Sequence, residues 1–201
     1  MTIFSKRIEQ FFTENDQKAF APIDKMSLPT EDKISEAAGR VASLNKISTV
    51  SIQPKGTTTK VLINQVSNKQ LNPYHHFNEH KSYPRAAVSY LIPIKGNIPL
   101  LECSPRTSTG YGSNAVVYGN NLKLEIQTEY ATVDLSPDVE EFVKRAVLVE
   151  LERVQANIEN INKEVEEYNE QLQGRLHVAI QERIAAEKEK KDRENRLNPF
   201  A

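Results

Sequence analysis

The spacing of apolar residues changes period twice along the chain. Over residues 3–14, Phe4, Ile8, Phe11 and Phe12 recur at helical intervals among Lys6, Arg7, Glu9 and Gln10, the pattern of a short amphipathic helix. After Pro22 and Pro29, Thr30 precedes Glu31 and Asp32. Thr30 therefore reads as an N-cap with two carboxylates in the first turn. Ile34, Ala37, Ala38, Val41 and Leu44 then form one stripe, a second helix of about three turns.

From Ile47 the period becomes two. Ser48–Gln53 and Thr57–Val66 flank Pro54-Lys55-Gly56, and their β-branched residues predict a hairpin. Ala86, Val88, Tyr90, Ile92 and Ile94 alternate with Ala87, Ser89, Leu91 and Pro93. Lys95-Gly96-Asn97 makes a turn, and Ile98–Cys103 returns as a further strand. Ala115–Tyr118 and Leu122–Tyr130 flank Gly119-Asn120-Asn121. In the second arm Leu122, Leu124, Ile126 and Tyr130 share one side, with Lys123, Glu125, Gln127 and Glu129 on the other. That alternation predicts a sheet with one buried and one wet face.

The third pattern is helical again. Ser136-Pro137 supplies a capping residue and a proline suited to the first helical position, with Asp138, Glu140 and Glu141 behind them. Val147, Leu151, Val154, Ile158, Ile161, Val165, Tyr168 and Leu172 follow at intervals of 4, 3, 4, 3, 4, 3 and 4, an unbroken heptad seam. Gly174 reads as a break, and Leu176, Ile180 and Ile184 as the stripe of a returning helix. Glu187–Arg196 is almost wholly charged with alternating sign, a solvated helix. The expected fold is α+β: an antiparallel β-sheet with two N-terminal helices and a long, coiled-coil-like C-terminal antiparallel helical hairpin. Two domains are expected, 1–135 and 136–201.

Composition narrows the function. The 26 basic residues are offset by 27 acidic ones, so the chain lacks the global positive field that displaces counterions from nucleic acid. Cys103 is the only cysteine, which excludes an internal disulfide and fits a reducing compartment. No stretch approaches the ~20 apolar residues that span a bilayer, and Met1–Glu14 lacks the features of a signal peptide. A cytoplasmic, soluble chain is expected.

Candidate chemistry is sparse. His75, His76 and His80 cluster with Glu79, but no ligand spacing characteristic of a metal site accompanies them. Thr109–Ser113 has the glycines of a phosphate loop and lacks its lysine. Ser104 and Ser108 have no paired base, and Cys103 falls in an expected strand, where burial is expected. Glu159, Glu164, Glu166, Glu167 and Glu170 are the solvated flank of the seam. Asn157, Asn160, Asn162 and Asn169 surround it; for Asn162 and Asn169 two readings stand, register-setting and plain surface polarity. No catalytic, cofactor-binding or metal residue is assigned, and no cofactor or enzymatic activity is expected. For the long polar segments 67–82 and 105–113 two readings stand: recognition surfaces, with Tyr74, His75, His76, Phe77 and Tyr111 as contact groups, and disordered connectors.

The order of features also carries a resemblance. Tyr90-Leu91-Ile92-Pro93-Ile94-Lys95-Gly96 precedes Leu100-Leu101-Glu102-Cys103-Ser104-Pro105. A helix follows with Ile161-Asn162-Lys163-Glu164-Val165-Glu166-Glu167-Tyr168-Asn169-Glu170-Gln171-Leu172, and then Gln181-Glu182-Arg183. From about Tyr83 to Asn198 this is similar to the N-terminal region of a loose family of bacterial multidomain defence-type proteins. In these a variable C-terminal effector, TIR-like or restriction-nuclease-like, follows. The resemblance implies a non-catalytic sensing, scaffolding or oligomerisation module and supplies no catalytic residue. The partner it implies is another protein, or a second copy joined through the helical hairpin as a homo-oligomer; neither a membrane nor nucleic acid is expected. The alternative is a structural coiled-coil adaptor or assembly protein of a phage or secretion system. A third reading is a hydrolase or nuclease using the loop histidines.

Overall fold

A computed structural model describes residues 2–67, 82–107, 114–128 and 133–198. Strands β1 (Lys6–Arg7), β2 (Val50–Ile52), β3 (Thr58–Ser67), β4 (Ser82–Gly96), β5 (Cys103–Ser104), β6 (Val116–Tyr118) and β7 (Asn121–Gln127) accompany helices α1 (Ile8–Phe20), α2 (Ile34–Leu44) and α3 (Pro137–Leu197). The fold is α+β with an antiparallel main sheet and two N-terminal helices, as the periodicities predict. Compactness divides the chain differently from a single cut after residue 135. One unit is Met1–Arg7 with Thr49–Ile161, the other Ile8–Ser48 with Asn162–Ala201.

In the first unit β4 is the spine. One edge pairs antiparallel with β7, from Ala87 opposite Gln127 to Pro93 opposite Asn121. β6 adds to β7 through the two-residue loop Gly119-Asn120. Only Gly119 has positive φ (58°) there, which suits the tight hairpin turn whose first central residue is glycine. Leu122 and Leu124 are buried as their alternation requires; Glu129 and Tyr130 lie outside the described residues.

The other edge of β4 corrects the first predicted hairpin. β3 pairs with β4 from Thr58 opposite Leu91 to Ser67 opposite Ser82. β2 pairs with the same edge further on, from Ile52 opposite Ile94 to Val50 opposite Gly96. The five residues Gln53–Thr57 thus stand opposite two, Ile92 and Pro93. Pro54-Lys55-Gly56 is a 3-10 turn that bulges one strand line outward instead of reversing it. Gln53 N–H donates to the Pro93 carbonyl at 2.8 Å, which keeps the chain on β4 through the bulge.

The return strand predicted over 98–103 is also replaced. Ile98–Glu102 is a 3-10 turn that buries Leu100 and Leu101, because Pro99 has no N–H to give a ladder. The chain then pairs as β5, parallel to β1, with Lys6 opposite Cys103. That pairing takes the segment before Ile8 out of the predicted first helix. α1 begins at Ile8 and runs on to Phe20, with Ile8, Phe12 and Ala19 buried. In the second helix Thr30 makes no side-chain cap; a 3-10 turn over Glu31–Lys33 leads into α2. Ile34 and Ala38 are buried while Leu44 is 82% exposed.

The predicted helical hairpin does not exist: α3 is one uninterrupted helix of 61 residues. Glycine inside a helix costs only about 1 kcal/mol relative to alanine. Ending a helix there needs a left-handed residue, and Gly174 is not among the glycines of positive φ. Leu172, Leu176 and Ile180 are all buried, so the apolar stripe continues through Gly174 at four-residue intervals. Substituting Gly174→Ala should therefore stabilise the chain by about 0.5–1 kcal/mol, since an added Cβ meets nothing within 4 Å. Thermal melting should register a rise of about 2–4 °C per kcal/mol; a fall would mean a turn at this position.

Val147, Val154, Ile158 and Ile161 of the seam are buried in the first unit, together with Val143. Val165, Tyr168 and Leu172 are buried in the second, where α1 packs on Tyr168 and the segment after α2 is held by Asn169, with no returning helix. From Ala185 to Leu197 every residue except Glu187 is exposed, and Arg193 pairs with Glu189 one turn away. No helix among the described residues is long and apolar enough to cross a membrane.

Candidate functional site

A dense polar constellation lies in the second unit, where the α1 side chains Phe12, Asn15, Asp16 and Phe20 meet Tyr168 and Arg175. Tyr168 and Arg175 are seven residues apart on α3, two turns along one face. The Phe12 and Tyr168 rings stack at 4.5 Å between centroids and 12° between planes. The Tyr168 hydroxyl donates to Asp16 Oδ1 at 2.6 Å and accepts from Asn15 Nδ2 at 3.0 Å. Arg175 Nη1 donates to Asp16 Oδ2 at 2.7 Å. The guanidinium carbon lies 4.9 Å from the Tyr168 ring centre and 5.9 Å from that of Phe20. Arg175 Nε and Nη2 are shut off from water without an acceptor, and the two rings offer them cation–π contacts instead.

Chemically this is a clamp. Burial, and next the bond to Asp16, push the Tyr168 hydroxyl above the ordinary phenol range, so it is a poor proton donor at neutral pH. The same bond to Asp16 holds Arg175 all the more firmly protonated. Neither group is poised near neutrality as an acid–base catalyst requires. A raised pKa in the folded state means that folding disfavours tyrosinate. The stabilisation is complete below pH 10, the ordinary phenol value, and is lost as pH rises past it. Melting temperatures measured between pH 9 and 11 should fall less steeply in Tyr168→Phe than in the parent chain; equal slopes would remove Tyr168 from the linkage.

Two further clamps flank the first. Asn169 embraces the Ile47 peptide group on both sides, accepting from its N–H at 3.0 Å and donating to its carbonyl at 2.9 Å. Arg183 donates to the carbonyls of Ile23 and Met26, the latter at 2.9 Å. Between the Asn169 clamp and α2 lies an open groove of about 360 Å³ lined by Gly39, Ser43, Lys46, Glu166, Glu170 and Gln173 among others.

Among the described residues, the groups weighed from sequence do not converge. Glu166 and Glu170 line the groove, and Asn169 fixes position by gripping the segment after α2. Asn160 donates to the Thr107 carbonyl at 2.7 Å in the first unit, and Asn157 is buried. Cys103 is buried with its thiol 3.9 Å from the Pro99 carbonyl. His75, His76, His80, Glu79, Ser108, Thr109–Ser113, Tyr74, Phe77 and Tyr111 lie outside the described residues. No group of His, Cys, Asp and Glu able to hold a metal occurs among the described residues.

The open surface worth most scrutiny is the edge of the main sheet at β3, which among the described residues pairs with β4 alone. It is ten residues long, against three each for β2 and β6. Val61 and Ile63 stand on the face that carries Val88, Ala86, Leu124 and Leu122. Those four are buried, yet Val61 is 56% and Ile63 60% exposed. The core face thus runs out to a bare apolar rim. The sequence held a signal for this edge: a ten-residue strand whose only charge is Lys60 and which contains no proline. Comparison with family models, with curated proteins and with solved structures finds no match to the chain.

Proposed function

We propose that this chain is a non-catalytic protein-interaction module, working in the cytoplasm as the sensing, scaffolding or oligomerisation part of a bacterial antiphage defence-type effector system. The observation that carries this reading is the open β3 edge. Alternate residues of an edge strand turn backbone N–H and C=O groups outward. An apolar rim beside such groups is what an added strand needs, with main-chain bonds giving affinity and side chains giving choice. The effector setting is drawn from the motif resemblance in residues 83–198.

The test is a plaque assay in bacteria expressing the whole reading frame with its natural neighbours. Val61→Lys combined with Ile63→Lys charges the rim on two exposed positions. Protection should fall at least tenfold while the melting temperature is held; full protection by this variant would overturn the interaction reading. The exposed, charged stretch 185–197 of α3 favours a second reading, a structural adaptor. Under that reading, deletion of 185–197 would abolish function and the edge variant would retain it.

A further inference from the structure

We infer that the occupant of the β3 edge is β3 of a second copy of this chain, paired antiparallel about a two-fold axis through Leu62 so that two sheets become one. The inference rests on reading β3 as an interaction edge and adds the partner and the register. Three observations favour a second copy.

The first is that the strand is its own complement. In the Leu62-centred register Val61 of one copy stands opposite Ile63 of the other, twice over by symmetry. The two exposed apolar pairs then close over one another on the face that already carries the core. The second is charge. Lys60 is the only ionised side chain of the strand, and this register sets it opposite Asn64 of the second copy instead of against its own kind. Thr59 meets Gln65 and Thr58 meets Val66, so no like-charge pair forms anywhere along the ten residues.

The third is the lack of protection. Edge strands of soluble proteins are blunted by shortness, proline, bulges or inward-pointing charge. Here the bulge and Pro54 fall before β3, and the two other outer strands are short. The heptad seam, by contrast, is already buried within one copy from Val147 to Leu172, save for the half-buried Leu151, and offers no comparable surface.

Sedimentation of the full chain tests this. Mass should rise with concentration from 22.8 kDa towards twice that value, and Val61→Lys with Ile63→Lys should stay monomeric throughout. Leu62→Cys supplies the register. Residues directly opposite across an antiparallel pair lie about 4.5–5.5 Å apart at Cα, within disulfide reach. Mild oxidation should therefore link Leu62→Cys chains into a covalent dimer. Thr58→Cys should not link, since each Thr58 stands opposite Val66; the native Cys103 is buried.

A monomer at every concentration with no cross-link overturns self-pairing, as does a dimer that survives the two lysines. If the chain is monomeric yet the lysine variant still loses antiphage protection, self-pairing falls and the edge accepts a strand from a different protein. If neither mass nor protection responds, the interaction edge falls with it.

Discussion

Ile158→Asp should cost on the order of 5 kcal/mol. Removing most of a buried isoleucine costs about 2–5 kcal/mol, and the new carboxylate must be buried without a partner or force the helix outward. Whole domains are stable by only about 5–15 kcal/mol, so the variant should melt roughly 10–20 °C lower or fail to accumulate as folded protein. Ile158 is buried in the isolated chain, and that makes the effect independent of protein concentration. A seam satisfied only between subunits would show the reverse. Val149→Asp is the control, on the same helix at a position 44% exposed, and should shift melting by no more than a degree or two. An Ile158→Asp chain that melts with the parent would show that the seam is not buried.

How far the sequence foretold this seam shows what local patterns can and cannot carry. The intervals from Val147 to Leu172 identify a buried helical face because 3.6 residues per turn bring those positions into line. They do not name what covers the face. In the second unit α1 and the segment after α2 meet this part of the helix, through contacts as distant in sequence as Phe12 on Tyr168 and Asn169 on Ile47. Gly174 misleads for an energetic reason: one helical glycine costs about 1 kcal/mol, less than the burial of Leu172 and Leu176 beside it returns.

The strands divide along the same line. The β6–β7 hairpin was legible because Gly119-Asn120 is a turn whose backbone suits twisted strands. Pro54-Lys55-Gly56 carries similar residues yet serves as a bulge. The choice rests on β4, long enough at 15 residues to take β2 and β3 end to end. The Asp16–Tyr168–Arg175 clamp was hidden because residues 15–20 lack a clear apolar period. Asn15 and Asp16 join α1 with their side chains committed to Tyr168 and Arg175, and such tertiary bonds override weak local propensity.

Gly96→Ala is the second change expected to act strongly, and it separates three glycines that look alike in sequence. Gly96 has φ of +94° and ends β4 opposite Val50. A Cβ there would lie 2.1 Å from the Thr49 carbonyl oxygen, with the Thr49 carbon at 3.1 Å and Val50 Cα at 3.3 Å. All three are backbone atoms, so no side-chain rotation relieves the clash. The Thr49 carbonyl is also the acceptor for Asn97 N–H at 3.0 Å, and moving it breaks the turn that closes the sheet. Backbone strain of about 1–3 kcal/mol adds to a similar cost for forced displacement. Together they predict a loss of roughly 3–5 kcal/mol and a melting point lower by on the order of 10 °C. Hydrogen exchange should quicken first at Asn97 and along Val50–Ile52. Gly119→Ala has a φ of +58° and open space around it, so it should cost only the backbone strain, about 1–2 kcal/mol; Gly174→Ala should change sign and stabilise. Any other order of the three melting temperatures, above all a Gly96→Ala chain as stable as the parent, would contradict the close approach of β2 to the end of β4.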